Sequence, residues 1–230
     1  MRARLWRNRL CQTSIFPPIE FQSSPFDEQI CLDLSRHVDP WFKDHDEVLR
    51  NILNTFSAVN EGFGYPQGLN FLVCPLYYVY YNEDPRTAVQ YTFYSLHGLV
   101  HIVLPLYPLH SKDEEAMKTL QAVANVVSLQ CYNQDSKMEV LFSESHVPFM
   151  TGLVCNMIPT LYSNIFNLQE TLLLWDTIFE QKNIKRMFKF SLQILSKVIM
   201  YHKNMFIHLP VDRCMQVFQQ TMKHSISICL

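Results

Sequence analysis

From Leu69 to Tyr81 the chain is apolar almost without interruption. It enters that stretch through Gly62-Phe63-Gly64-Tyr65-Pro66-Gln67-Gly68, a loop holding three of only five glycines in 230 residues. A helix this apolar is buried on most sides, and the run is shorter than the roughly 18 residues a membrane span needs. It belongs at the centre of a folded domain, with the rest of the chain packed around it. A second apolar run, Leu99 to Leu109, carries Pro105 and Pro108 and is also too short to span. The chain is expected to be soluble, with any membrane contact made through a partner.

The surrounding segments read as helices. Residues 2–10 alternate Arg with Leu and Trp6, the pattern of a short amphipathic helix with its arginines toward water, and Pro17, Pro18 and Pro25 make residues 11–26 an extended connector. Phe26-Asp27-Glu28 opens a helix to about Arg36, since carboxylates suit a first helical turn. Asp39-Pro40 is expected to break the chain before a helix capped by Asp44 or Asp46, with Val48, Leu49, Ile52, Leu53, Phe56 and Val59 on one face, ended by Gly62 and Gly64. Asp84-Pro85 marks the cap and first position of a helix over 85–104, and Ser111-Lys-Asp-Glu114 is a capping box. The helix it opens has Met117, Leu120, Val123, Ala124 and Val127 inward and ends near Asn133. Further helices are expected from Val147-Pro148, over 168–180, over 184–203 and over 210–224. No sustained period-2 alternation and no fixed-period repeat is visible. The fold class is all-α, with residues 1–230 forming one domain and residues 1–26 its N-terminal helix and connector.

Charge and composition narrow the function. Nineteen basic against 21 acidic residues give a net charge of -2, without the bulk positive field that concentrates nucleic acid. Seven cysteines (Cys11, Cys31, Cys74, Cys131, Cys155, Cys214, Cys229) show no C-x-x-C pair and are odd in number, as reduced core thiols of a cytoplasmic protein would be. Five glycines cannot supply either phosphate-binding glycine motif, and there is no G-x-S-x-G elbow, so Ser143-Glu-Ser-His146 reads as a polar turn. His97 and His101 have the spacing of two zinc ligands but Gly98 follows the first and no third ligand is near, so they read as structural histidines. Neither metal nor cofactor is expected. Asp113-Glu114-Glu115 suits a first helical turn, and Lys182, Lys185, Arg186 and Lys189 read as a solvated helix face, with a partner contact as the alternative.

Two short motifs remain. Ile30-Cys-Leu-Asp33-Leu-Ser-Arg36 fits I-x-x-D-x-x-R, and Tyr65-Pro66-Gln67-Gly68 fits Y-x-Q-G. Taken singly, the first is an ordinary i, i+3 ion pair and the second a helix-connecting turn. In this order, inside an all-α chain and followed by Leu174-Trp175-Asp176, they resemble the TBC domain, the GTPase-activating domain for Rab GTPases. Arg4-Leu-Trp6 is similar to the end of that family's opening R-x-x-W segment. The resemblance runs from about residue 2 to about residue 222.

The resemblance implies a protein that acts in trans on a GTP-bound Rab in vesicle trafficking. It would turn over no substrate of its own and need no cofactor, because GTP and magnesium belong to the Rab. It would be cytoplasmic, reaching endomembranes only through that partner. Carried over by motif, Arg36 is an arginine finger and Gln67 a glutamine finger. Asp33, Tyr65, Gly68 and Asn70 are supporting or partner-contacting residues, and Trp175 and Asp176 are structural. A catalytically weak helical Rab-binding scaffold or adaptor is the alternative. Two departures stand out: His37-Val38-Asp39-Pro40 follows Arg36 where the family has Thr, an aromatic and Pro, and Leu69 replaces Met.

Overall fold

The structure is a computed structural model describing residues 1–11, 15–37, 39–60, 62–103, 114–222 and 226–229, with only the backbone of residues 101, 102, 215, 219, 228 and 229. It is all-helical, with no strand among the described residues. The chain divides into two compact units, Met1–Ile102 and Val103–Leu230. Residues 111–113 of the expected capping box, the prolines at 105 and 108, Val38, and the side chains of His101 and Cys229 lie outside the described residues.

In the first unit α1 (Arg2–Leu10) precedes α2 (Asp27–Ser35), α3 (Pro40–Asp44), α4 (Asp46–Val59), α5 (Asn70–Glu83) and α6 (Ala88–Val103). Helix α5 is the apolar run, and nine of its residues from Asn70 to Tyr80 are buried. It packs on α1, α2 and α4. Trp6 is fully buried on the inner side of α1, but not every arginine of that helix faces water. Arg7 lies 4.3 Å from the centre of the Tyr91 ring and pairs with Glu83, because a guanidinium stacks on an aromatic face while keeping its charge near solvent.

Four local expectations are corrected. Asp39-Pro40 starts a helix instead of only breaking one: Asp39 accepts from the Trp41 N–H and Pro40 takes the first position, where its missing N–H costs nothing. Neither Asp44 nor Asp46 caps α4; His45 holds that position without a side-chain bond. Asp84 instead accepts from the backbone and side chain of Arg86 in a turn, so that α6 begins at Ala88. Val59 is exposed, since it ends α4 two residues past Ser57, the last buried one.

Helix α2 is held to α4 by a polar clasp. Arg50 binds the Asp27 carboxylate through two nitrogens, Asn54 donates to the same carboxylate at 2.6 Å, and Ser24 donates to Asn54 at 2.7 Å. Hydrogen bonds from Arg50, the largest effect, hold the Asp27 carboxyl down at about 2.

Where α1 ends it meets α6 backbone to backbone. A Cβ built on Gly98 would lie 1.8 Å from the Leu10 carbonyl oxygen, so only glycine allows this approach. Gly98→Ala is expected to destabilise the protein by about 3 kcal/mol in urea unfolding. Gly152 is also in a helix but has open space around its Cβ position, and Gly152→Ala is expected to be neutral or to stabilise by about 1 kcal/mol. Equal effects of the two substitutions would refute the close-approach argument.

The second unit contains α7 (Glu114–Tyr132), a 3₁₀ helix (Ser136–Phe142), α8 (His146–Met157), α9 (Leu168–Phe179), α10 (Ile184–Tyr201), α11 (Lys203–His208), α12 (Val211–Met222) and α13 (Ile226–Cys229). Helix α7 packs on α8, α10 and the 3₁₀ helix. Met117, expected inward, is exposed, and Ala116 takes the inner place one residue earlier. Helix α9 opens on a capping box in which Asn167 and Glu170 exchange side-chain-to-backbone bonds.

Leu161 and Tyr162, between α8 and α9, have φ of 46° and 68°, a left-handed conformation that costs a residue with a Cβ about 1–2 kcal/mol. Two buried bonds hold them: Trp175 Nε1 donates to the Leu161 carbonyl at 2.9 Å, and the Tyr162 hydroxyl donates to the Ser191 carbonyl at 2.6 Å. Trp175 is fully buried and Asp176 half-buried beside it. Trp175→Phe leaves the Leu161 carbonyl unpaired at a strained turn, and the expected loss is about 2–3 kcal/mol of unfolding free energy. A variant with wild-type stability would show that the bond holds nothing.

Among the described residues no helix is long and apolar enough to cross a membrane, and no group of three or more His, Cys, Asp or Glu side chains is placed to hold a metal. His97 packs against the rings of Phe56 and Phe93. Cys11, Cys31, Cys74, Cys131, Cys155 and Cys214 are free thiols.

Candidate functional site

The site is built on the C-terminal end of α2 and the loop that feeds α5. Asp33 and Arg36 are one helical turn apart, so their side chains meet along the same face. Arg36 Nη1 donates to Asp33 Oδ1 at 2.7 Å, with the Arg36 side chain 62% exposed and the Asp33 side chain only 6%. The pair therefore spans the surface, with the carboxylate rooted in the packed interior and the guanidinium standing in solvent.

A buried carboxylate needs its remaining oxygens satisfied. Asp33 Oδ2 accepts from the Tyr65 hydroxyl at 3.2 Å. The Asp33 backbone carbonyl accepts from the Arg36 N–H at 3.3 Å and from Asn70 Nδ2 at 3.2 Å. One residue thus joins the arginine, the loop and the first turn of α5. Burial, and next the Asp33 charge, pushes the Tyr65 phenol far above its usual range, so it stays a proton donor.

Between Tyr65 and Asn70 the loop is tightly specified. Phe63 and Gly64 both donate to the Asn60 carbonyl at 2.8 Å, closing the end of α4. Pro66 and Gly68 are buried, and Gly68 has φ of 95°, a conformation closed to residues with a Cβ. Gln67 between them is exposed. A fixed turn thereby presents one amide to solvent from a packed base. Of the residues singled out in the sequence, Asp33, Arg36, Tyr65 and Asn70 are hydrogen-bonded together. Gln67 and Gly68 follow Tyr65 across Pro66, while Trp175 and Asp176 lie in the second unit, away from this network in the chain. Tyr65 and Asn70 brace the loop from inside and are buried.

One residue of the network has no signature in the sequence beyond its place after Arg36. His37 Nε2 lies 3.0 Å from Asn70 Nδ2 and 3.4 Å from Cys74 Sγ, and its ring packs against Phe42 and Phe71. Burial lowers its pKa, outweighing the carboxylates of Asp46, Asp33 and Asp39, which act to raise it. Burial also holds the Cys74 thiol well above its usual range and hence protonated. The partners of His37 sit more than thirty residues further along the chain, so no local pattern could reveal them.

Comparison with known proteins bears on this arrangement. The family model of the Rab-GTPase-TBC domain matches residues 17–206. Among solved structures, the chain is similar to the Ypt/Rab-GAP domain of Gyp1p, with a TM-score of 0.69 at 16% identity, over 99% of this chain and 78% of that one. It is also similar to the Chlamydomonas flagellar RabGAP TBC domain, with a TM-score of 0.58 at 18% identity, over 90% of this chain and 66% of that one. No curated protein matches by sequence. At these identities the structural likeness speaks for the fold alone, but the family match covers well over half of the chain and both motif segments. This all-helical chain belongs to the Rab-GTPase-TBC domain family.

Proposed function

We propose that the protein accelerates GTP hydrolysis by a Rab-family GTPase, supplying Arg36 and Gln67 in trans, and that its two compact units work as one TBC-type domain. The family match runs across the boundary between the units, which supports the second point. The observation that carries the first is the Asp33 hub. A single buried carboxylate orients an exposed guanidinium through one oxygen and anchors the loop bearing an exposed glutamine through the other.

GTP hydrolysis passes through a loose phosphoryl transition state whose charge spreads over the phosphate oxygens. A guanidinium held in place beforehand stabilises that charge more than it stabilises the ground state, and its planar fork offers donors that lysine lacks. A neutral amide can accept from the attacking water and donate to a phosphoryl oxygen at once, orienting the nucleophile without adding charge. Nucleotide and magnesium come with the GTPase. The protein contributes donors and position, acts in the cytoplasm, and meets endomembranes through its partner.

The test is GTP hydrolysis by a panel of Rab GTPases with and without the protein, alongside a binding measurement on the same panel. Acceleration of one or more members is the expected result. Binding without acceleration would replace this reading with that of a Rab-binding scaffold, and the absence of both would leave a helical adaptor.

A further inference from the structure

We propose that His37 is a positioning residue for Arg36, acting only as the neutral imidazole and through Asn70. The inference rests on the function proposed above, but its structural half is independent of it. Asn70 Nδ2 has two hydrogens, and the structure supplies two acceptors for them: the Asp33 carbonyl at 3.2 Å and His37 Nε2 at 3.0 Å. The same Asp33 carbonyl receives the Arg36 N–H, so the Asn70 amide closes the turn from which the arginine projects. His37 Nε2 faces two donors, Asn70 Nδ2 and the buried Cys74 thiol, which requires its lone pair and places the ring proton on Nδ1.

Protonation at Nε2 sets donor against donor. The Asn70 amide has one way to answer, since its Oδ1 is buried without a partner among the described residues. Turning over would let Oδ1 accept from the imidazolium, but it would point the same oxygen at the Asp33 carbonyl and lose that bond. The two arrangements exclude each other, so a proton on His37 releases the end of α2. The groups facing His37 are Asp33 on α2, Asp39 before α3, Asp46 on α4 and Cys74 on α5. The three carboxylates favour the proton, while burial opposes it and prevails. The His37 pKa therefore lies below its ordinary value, and the neutral form is lost as the pH falls through it.

The experiment compares wild type, His37→Gln and His37→Phe in Rab GTP hydrolysis from pH 5 to 8, separating maximal rate from KM and normalising to intrinsic hydrolysis at each pH. Glutamine offers an acceptor that does not titrate; phenylalanine fits between the Phe42 and Phe71 rings without one. Wild type is expected to lose maximal rate on the acid side and His37→Gln to stay flat, with His37→Phe down about 10- to 100-fold at every pH and KM little changed. Equal acid loss in wild type and His37→Gln, a His37→Gln variant as slow as His37→Phe, or a His37→Phe variant at the wild-type rate would each overturn the proposal. If wild type accelerates no GTPase, the functional reading fails and NMR of the protein alone decides the rest. The Asn70 side-chain amide and Arg36 Nε resonances should move with pH in wild type and not in His37→Gln, and resonances that stay still in both overturn it.

Discussion

Arg36→Ala is expected to lower the maximal rate of stimulated GTP hydrolysis by about 10³- to 10⁵-fold, or roughly 4 to 7 kcal/mol of barrier, with a much smaller change in KM. The asymmetry follows from where the guanidinium is proposed to act. Charge accumulates on the phosphoryl oxygens as the transition state forms, so a donor aimed there is felt in the rate far more than in binding. Being 62% exposed, the Arg36 side chain adds little to the core, and its ion pair with Asp33 orients the arginine more than it holds the fold together. Its removal does leave one oxygen of a buried carboxylate short of a partner, at a cost of about 1–3 kcal/mol. Thermal unfolding of the variant separates that cost from the catalytic one. Arg36→Lys keeps a charge but not the fork, and should recover only a small part of the rate. An Arg36→Ala protein that stimulates hydrolysis as wild type does would sink the arginine-finger assignment.

Gln67→Ala is expected to reduce the maximal rate by about 10²- to 10³-fold and leave stability within about 0.5 kcal/mol, since the side chain is exposed at the turn between buried Pro66 and Gly68. Gln67→Glu should fail as well. A carboxylate keeps the acceptor for the attacking water but loses the donor to the phosphoryl oxygen, and it brings negative charge toward negative charge. If the two proposed fingers act on one transition state, Arg36→Ala with Gln67→Ala should cost less than the product of the single losses. If Gln67→Ala hydrolyses GTP at the wild-type rate, the water must be oriented by a residue of the GTPase itself, and Gln67 is then only part of the turn.

Much of the helical order was legible along the chain. The burial of α5 followed from its unbroken apolar run, and the helix expected over 184–203 is α10, which buries Met187, Leu195 and Ile199. Short helices were not legible: α3, α11 and the 3₁₀ helix are too brief for periodicity to register; side-chain caps hold α3 and the 3₁₀ helix, and α11 packs on the 3₁₀ helix without one. Faces were misjudged at helix ends, as at Val59 and Met117, where one residue's shift along a helix turns a side chain by about 100°. In the site, Arg36 and Gln67 stood out by motif, and Asp33 by its i, i+3 relation to Arg36. His37 stood out only as a departure from the motif, because its role has no meaning until Asn70 and Cys74 are packed against it.

The sequence by itself determined what is local: the helical class, the glycine-framed turn that exposes Gln67, and the one-turn spacing that lets Asp33 meet Arg36. Only the tertiary structure decided which of these polar groups is buried and what it binds. Asp33 becomes a hub when the Tyr65 hydroxyl and the Asn70 amide arrive from another part of the chain. The reason is physical. Helical periodicity and turn chemistry act over a few residues, whereas the need to satisfy a desolvated carboxylate is met by whatever donors long-range packing brings within hydrogen-bonding distance.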